Sequence, residues 1–248
     1  MQIYERLLKD LPDGKVVEVS IGLFWTAVLV EVEGRLSCGL AATQHNPEFE
    51  HGQRPAVVNA GELERHSALA LAGLVHSDSF TEVSVGLATI NALLPPPAQS
   101  VDLPAEEYIL RHGAQANVAL IGHFPFVDSL RPCVHQLWVL ELNPKEGDLP
   151  ATQASQIVPQ ADILAITSTT LINHTFEEVF QHRKPGAKVM LLGPSTPLSP
   201  RLFDLGVDVL SGSIVEDIPS VMRLARQGAT FRQFKGRGVR LVTIERLS

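Results

Sequence analysis

The chain is poor in cysteine, with only Cys38 and Cys133 among its 248 residues. The two are far apart in sequence and neither belongs to a CxxC pair, which argues against a zinc ribbon and against a disulfide framework. Such sparse cysteine is typical of a reducing compartment, and we expect a cytoplasmic protein with Cys133 buried in its core.

Long apolar runs and long basic runs are also lacking. No segment approaches the roughly 20 apolar residues that a membrane-spanning helix needs, so membrane insertion is not expected. The first residues show no signal-peptide pattern. The formal net charge is −7, which argues against nucleic acid as a partner.

The sequence contains no GxSxG elbow, no P-loop and no HExxH motif. Its nine histidines show no paired zinc spacing. No residue stands out as a nucleophile, so acyl transfer and phosphoryl transfer are not supported.

What the chain does contain is two different periodic patterns. Apolar residues alternate over 17–23, 28–32 and 36–40, which predicts a β-meander with one buried face, and helical patterns follow over 62–75 and 79–94. Residues 43–57, between meander and helices, are polar and irregular and predict a loop. The run of three prolines at 95–97 predicts a boundary between an α+β domain, 1–98, and a second domain, 99–248.

The second domain alternates strands and helices. The strand candidates are 117–121, 136–142, 162–167, 187–192, 207–210 and 239–244. Because several of these strands are apolar throughout, we expect helices on both faces of a doubly wound, Rossmann-like parallel sheet. Residues 229–238, with Arg232, Lys235 and Arg237, favour a solvated connection over a binding patch.

The first strand of this sheet runs into Gly122-His123-Phe124-Pro125. Phe124 stands where a GxGxxG fingerprint has its second glycine, which argues against a conventional NAD site. Glu141 lies nineteen residues after Gly122, where an acidic residue often contacts a ligand, although it could equally be a solvated carboxylate. His123 is either a hydrogen-bonded structural residue or a ligand.

Small and polar residues also follow the later strands. Asn173 stands in a hydroxyl-rich stretch whose Thr175 could simply cap a helix, Gly193-Pro194-Ser195 ends the fourth strand, and Gly212 lies near the end of the fifth. The carboxyl ends of parallel strands meet at one edge of a sheet, so these residues predict a ligand cleft there.

Taken together, the segments 122–125, 171–175, 193–198 and 212–217 resemble those of the "putative heavy-metal chelation" family, a domain of unknown function. The resemblance covers essentially the whole chain. It implies an N-terminal domain like that of enolase, a C-terminal Rossmann-like domain, a homodimer, and a cleft between the domains. His174 is a departure, since a glycine is expected at that position.

The resemblance assigns the ligand cleft to one set of residues, with Asn91 facing the others from the first domain. The set is Asn91, Gly122, Phe124, Pro125, Glu141, Asn173, Thr175, Gly193, Pro194, Ser195 and Gly212. His123 is added as a candidate because it is the one histidine at the predicted cleft. The expected ligand is a small anionic or metal-chelating molecule, with a transition-metal ion as the candidate cofactor and Glu141 and His123 as its candidate ligands.

Two functions from different classes remain open. One is a metal-homeostasis protein that binds its ligand without changing it. The other is a lyase, synthase or transferase acting on a cyclic or nucleotide-like metabolite, with Glu141 or His123 as acid or base.

Overall fold

A computed structural model describes residues 2–46 and 54–246 of the chain. Residues 47–53, part of the predicted loop, lie outside the described residues. The first half contains an antiparallel meander of β1 (Lys15–Ile21), β2 (Trp25–Val32) and β3 (Arg35–Ala42). Its helices are α1 (Gln2–Leu8), α2 (Ala68–Ala72) and α3 (Phe80–Leu93), with 3-10 turns at Leu63–Arg65 and Gly73–His76.

The second half forms a seven-stranded sheet. Its strands are β4 (Asn117–Ile121), β5 (Gln136–Glu141), β6 (Leu149–Pro150), β7 (Ile163–Thr167), β8 (Lys188–Leu192), β9 (Val209–Val215) and β10 (Val239–Glu245). Its helices are α4 (Ala105–Gly113), α5 (Val127–Leu130), α6 (Ala154–Ile157), α7 (Thr169–Ile172), α8 (Phe176–Phe180), α9 (Ile218–Arg226) and α10 (Phe231–Phe234). Three 3-10 turns complete it, at Ala151–Gln153, Val158–Gln160 and Pro200–Leu205.

The strand order β10-β9-β8-β7-β4-β5-β6 confirms the predicted α/β fold class. Counted from β4, the order is that of doubly wound sheets, whose ligands bind where the order reverses, here between β4 and β7. Two details differ from the prediction. β6 is only two residues long and left no pattern, and β10 pairs antiparallel with β9, so the sheet is mostly rather than wholly parallel.

Both faces of the sheet are covered, as the apolar run in β4 predicts. Val118 and Leu120 enter one hydrophobic cluster, while Ala119 and Ile121 enter another on the opposite face. All four are at most 6% exposed. Alternate residues of a strand point to opposite faces, so a strand buried on both has no polar positions.

The meander is also covered on both faces, and the prediction of one buried face was wrong. Val28 and Val30 of β2 pack in the cluster that contains α3, whereas Ala27 and Leu29 pack against residues of α9 and α10. Because α9 and α10 belong to the second half of the chain, the two halves share hydrophobic clusters. A domain boundary near residue 98 stays a prediction.

The two cysteines lie in contrasting environments. Cys38 is buried, with its sulfur 3.9 Å from Met222 Sδ, and burial raises the pKa of its thiol to about 12. Cys133 is exposed, because it lies in the turn between α5 and β5, so its predicted burial was wrong. Within 2–46 and 54–246, no helix is long and apolar enough to cross a membrane.

Candidate functional site

The carboxyl ends of β4, β5 and β7 enclose a cleft of about 390 Å³, which we call the first cleft. Six of the residues that the sequence predicted for the site line it: Gly122, His123, Phe124, Glu141, Asn173 and Thr175. Gln44, which follows β3, is its only described lining residue from the first half of the chain. The first cleft is thus built mainly by the second half and lies beside the point where the strand order reverses.

The turn after β4 brings His123 beside Glu141. Gly122 has a φ of +102°, which favours glycine, and its backbone N–H donates to the carbonyl of Leu140 at 2.8 Å. The next backbone N–H, that of His123, donates to Glu141 Oε2 at 2.9 Å. Parallel pairing of β4 with β5 places the two strand ends side by side, so the contact follows from the topology.

The His123 ring is held in place by a carboxylate. Its Nδ1 lies 2.9 Å from Asp148 Oδ2, and the Asp148 side chain is only 1% exposed. Asp148 also accepts from the backbone N–H of Lys145 at 3.0 Å. The Nε2 atom of His123 has no hydrogen bond with the described part of the chain. A carboxylate that accepts from one ring nitrogen fixes the tautomer and leaves the other nitrogen as a metal ligand or a base.

Asn173 and Thr175 form a small polar pair that also lines the first cleft. The Thr175 hydroxyl donates to Asn173 Oδ1 at 2.7 Å, and the Thr175 backbone N–H lies 3.3 Å from the same oxygen. Thr175 occupies the N-cap position of α8, but its side chain makes no capping bond. Asn173 Nδ2 has no hydrogen bond with the described residues, so it can donate to a ligand.

The carboxylates that line the first cleft have no cationic side chains among its described lining residues to balance their negative charge. Glu141 and Glu178 line it, and no lysine or arginine is among its described lining residues. One oxygen of Glu141 accepts from His123, and the other accepts from the backbone N–H of Leu142 at 2.8 Å. A carboxylate with two donors still has lone pairs for a cation. The cleft therefore favours a ligand that carries positive charge over a bare anion.

A transition-metal ion fits this donor set only in part. Imidazole nitrogen with carboxylate oxygen suits borderline divalent ions. Within the described ranges, however, no three histidine, cysteine, aspartate or glutamate side chains are grouped so that they could hold a metal ion. His123 and Glu141 can supply two donors, and further donors must come from another molecule.

Three other predicted residues border a different cavity. Pro125, Gly193 and Pro194 lie with Phe124 around a space of about 580 Å³ at the carboxyl end of β8 and beside the middle of β9, which we call the second cavity. Phe124 lines both spaces. The single cleft expected from the sequence is therefore two spaces that share one phenyl ring.

The last three predicted residues lie where the two halves of the chain meet. Asn91 Nδ2 donates to the carbonyls of Leu40 at 2.9 Å and Ser195 at 3.0 Å, and Ser195 Oγ accepts from the backbone N–H of Ala42 at 2.8 Å. A Cβ atom on Gly212 would lie 2.7 Å from the Thr196 carbonyl oxygen, so that position requires glycine. Neither the first cleft nor the second cavity has Asn91, Ser195 or Gly212 among its described lining residues.

This placement predicts that Ser195 stabilises the fold. Ser195→Ala leaves the N–H of Ala42 without its acceptor at a site where Ser195 is 1% exposed. We expect the free energy of unfolding in urea to fall by about 1–3 kcal/mol. The matched control is Ser155→Ala, an exposed serine, which should change it by less than about 0.5 kcal/mol. Equal stability of the two variants would contradict the assignment.

Sequence reasoning missed Asp148, which orients His123 from the loop after β5 and belongs to no motif. The sequence did indicate that His174 is unusual. His174 has a φ of +62°, a left-handed conformation that glycine adopts more easily, which explains why a glycine was expected there. Its ring contacts Tyr4 edge-on at 5.7 Å and stacks on Phe80 at 6.3 Å, so it joins the two halves of the chain.

The whole fold recurs in solved structures. A protein of unknown function from the DUF364 family of Desulfitobacterium hafniense superposes with a TM-score of 0.83 and 26% identity, covering 99% of this chain and 98% of that one. Another DUF364 protein of unknown function, from Pyrococcus horikoshii, gives 0.82 with the same coverage, and at 22% identity it supports the fold alone.

Sequence comparison extends the likeness to an uncharacterized protein of Methanocaldococcus jannaschii. The two sequences are 27% identical over an alignment 251 residues long, which covers 95% of this chain and 93% of that protein. Two family models, DUF4213 over residues 4–94 and DUF364 over residues 105–243, match the chain, and both are described as "putative heavy-metal chelation". The chain therefore belongs to the "putative heavy-metal chelation" family.

Proposed function

We propose that the protein binds a small metal chelate in the first cleft, with His123 Nε2 as the group that reaches the metal. The observation that carries this proposal is the His123 ring, fixed through Nδ1 by the buried carboxylate of Asp148 while Nε2 is left without a partner among the described residues. Metal-binding histidines almost always donate their other ring N–H to a carboxylate, a backbone carbonyl or a water molecule.

The charges of the first cleft support one of the ligand classes that the sequence left open. A bare anion would meet Glu141 and Glu178 with no cationic side chain among the described lining residues to offset them. A metal ion with its own chelator offsets these carboxylates and supplies the donors that the protein lacks. Asn173 Nδ2 would then donate to an oxygen of the chelator.

Cobalt binding tests this proposal, because the visible spectrum of Co²⁺ reports an imidazole ligand directly. We expect the cobalt–iminodiacetate complex, which has no net charge and leaves coordination sites open on Co²⁺, to bind the wild-type protein and to show a changed visible spectrum. His123→Ala should weaken binding by at least tenfold. Asp148→Asn should weaken it by about 10–100-fold, the range typical of a carboxylate that orients a metal-binding histidine.

The matched control is His135→Ala, which removes an exposed imidazole just before β5, at the opposite edge of the sheet from the first cleft. Its affinity should stay within twofold of wild type. If His123→Ala binds the complex as tightly as wild type does, the first cleft is not the metal-chelate site.

The His123–Asp148 pair also favours an enzyme as the second candidate. A carboxylate-oriented imidazole is a common general base, and Glu141 lies within hydrogen-bonding distance of the same residue's backbone. An enzyme would chemically alter a molecule that co-purifies with it, and Asp148→Asn would slow that conversion. A binding protein would return the molecule unchanged.

Other expectations from the sequence stay predictions. These are the homodimer, the cytoplasmic location and the absence of nucleic-acid binding. The absence of a conventional NAD site is a prediction as well. Phe124 lines the first cleft immediately beyond the turn at Gly122, where a bulky ring would block the close approach of a pyrophosphate to the backbone.

A further inference from the structure

We propose that the second cavity is a separate binding site for a planar aromatic anion, beyond the metal-chelate function of the first cleft. Its volume of about 580 Å³ lies within the range of small-molecule sites. Its floor contains Leu192 and Leu241, and its walls come from the turn after β4, the start of α4 and α10.

Aromatic rings form two of its walls. Phe124 and Phe126 are stacked with their ring centres 5.1 Å apart and their planes 9° apart. Phe231 faces them from α10, and its ring is fixed by contact with Trp25 at 5.2 Å. Flat apolar surfaces of this kind favour a planar ring, which can stack on one phenyl group or meet another edge-on.

Two cations stand at the α10 wall. Arg232 and Lys235 are three residues apart, a spacing that places their side chains on the same face of a helical turn, and both line the second cavity. Neither the guanidinium nor the ammonium group makes a hydrogen bond or ion pair with the described part of the chain. An anionic group on the ligand would supply the partner that both side chains lack.

The acidic residues of the second cavity lie on other walls. Glu106 at the start of α4 accepts from the Ser129 hydroxyl at 2.5 Å, and Asp128 is on α5. Neither belongs to α10, so the second cavity carries its opposite charges on separate walls. This separation sets an orientation, with the ligand ring between the phenylalanines and its anionic group toward Arg232 and Lys235.

The position of the two cations is fixed by the fold. At the start of α10 the backbone N–H of Thr230 donates to Gln233 Oε1 at 2.9 Å, and Phe234 on the same turn is completely buried. The backbone that carries Arg232 and Lys235 is therefore anchored at both ends. Only their side chains have to reorganise when an anion binds, which keeps the entropic cost of binding small.

A pair of fluorescent probes tests the proposal. The probes are 1-anilinonaphthalene-8-sulfonate, which carries an anionic sulfonate on a planar naphthalene ring, and its neutral relative N-phenyl-1-naphthylamine. We expect both to bind wild-type protein. In the double variant Arg232→Gln, Lys235→Gln, the affinity for the sulfonate probe should fall by about tenfold. The affinity for the neutral probe should change by less than twofold.

The matched control is Arg237→Gln, an exposed cation beyond the second cavity, which should leave both affinities unchanged. The same double variant should bind the cobalt complex as tightly as wild type does, so failure at the first cleft and failure here can be told apart. The proposal is wrong if the double variant binds the sulfonate as tightly as wild type, or if it loses both probes to the same extent.

Discussion

Replacing Gly39 with alanine is expected to lower the free energy of unfolding by about 3 kcal/mol, because α3 lies directly on β3 at this residue. A Cβ atom on Gly39 would be 2.0 Å from the carbonyl oxygen of Ala88 and 2.4 Å from the backbone nitrogen of Ala92. Both atoms belong to the α3 backbone, which cannot swing aside as a flexible side chain would. The helix has to move away from the meander.

Urea unfolding measures the effect, with Gly73→Ala as the matched control. Gly73 has a φ of −61° and no atom within 4 Å of an added Cβ, so alanine there should be neutral or stabilise the protein by up to about 1 kcal/mol. If both variants unfold at the same urea concentration, α3 and β3 do not approach as closely as described. Movement of α3 would also disturb Asn91, whose amide joins Leu40 to Ser195.

The parts of the fold that sequence could predict depend on local pattern. The bounds of β4 match the predicted strand 117–121, because an uninterrupted apolar run bounded by polar residues has few alternatives. The proximity of Gly122 to Glu141 also followed from sequence, since the carboxyl ends of adjacent parallel strands are neighbours. These two inferences located the first cleft.

The meander contains the same signal, an uninterrupted apolar run, but its meaning was not recognised there. Residues 27–30 of β2 are as uniformly apolar as those of β4, and that run indicates burial of both faces. Attention to the alternation elsewhere in the meander led to a prediction of one buried face. The second cover is α9, which is remote in sequence, so local periodicity could not identify it.

The contacts between the two halves of the chain could not be predicted from local sequence patterns. Asn91 and Ser195 are polar residues near predicted strand and helix ends, which is equally compatible with a ligand site and with a hydrogen-bonded joint. Only the docking of α3 against the loop after β8 decides which partners they meet. Asp148 was missed because its role depends on a loop that folds back onto His123.

The segment 229–238 was predicted to be a solvated connection, and that is wrong for its centre. The spacing of Thr230 and Gln233 is that of a capping box, and the fourth residue of the resulting turn, Phe234, is buried. The charged residues around it obscured this signal. The same turn presents Arg232 and Lys235 to the second cavity.

Phe234→Ala is therefore expected to have the other large effect, a loss of about 3–5 kcal/mol in the free energy of unfolding. Phe234 is 0% exposed and meets the Trp25 ring at 6.2 Å and 68°, so it joins α10 to the meander. Alanine leaves a cavity between the two halves of the chain. The matched control is Phe24→Ala, a 45% exposed ring on the adjacent hairpin, which should cost less than about 1 kcal/mol.

The Trp25–Phe234 contact itself can be isolated with a double-mutant cycle of Trp25→Leu and Phe234→Leu. An edge-on aromatic pair should give a coupling of about 0.5–1.5 kcal/mol, whereas additive effects would mean that each ring is simply buried. Phe234→Leu should also lower the affinity for the sulfonate probe, because α10 is then held less firmly and the backbone that carries Arg232 and Lys235 is no longer fixed. Full affinity for the probe in that variant would show that the cations do not depend on the Phe234 anchor.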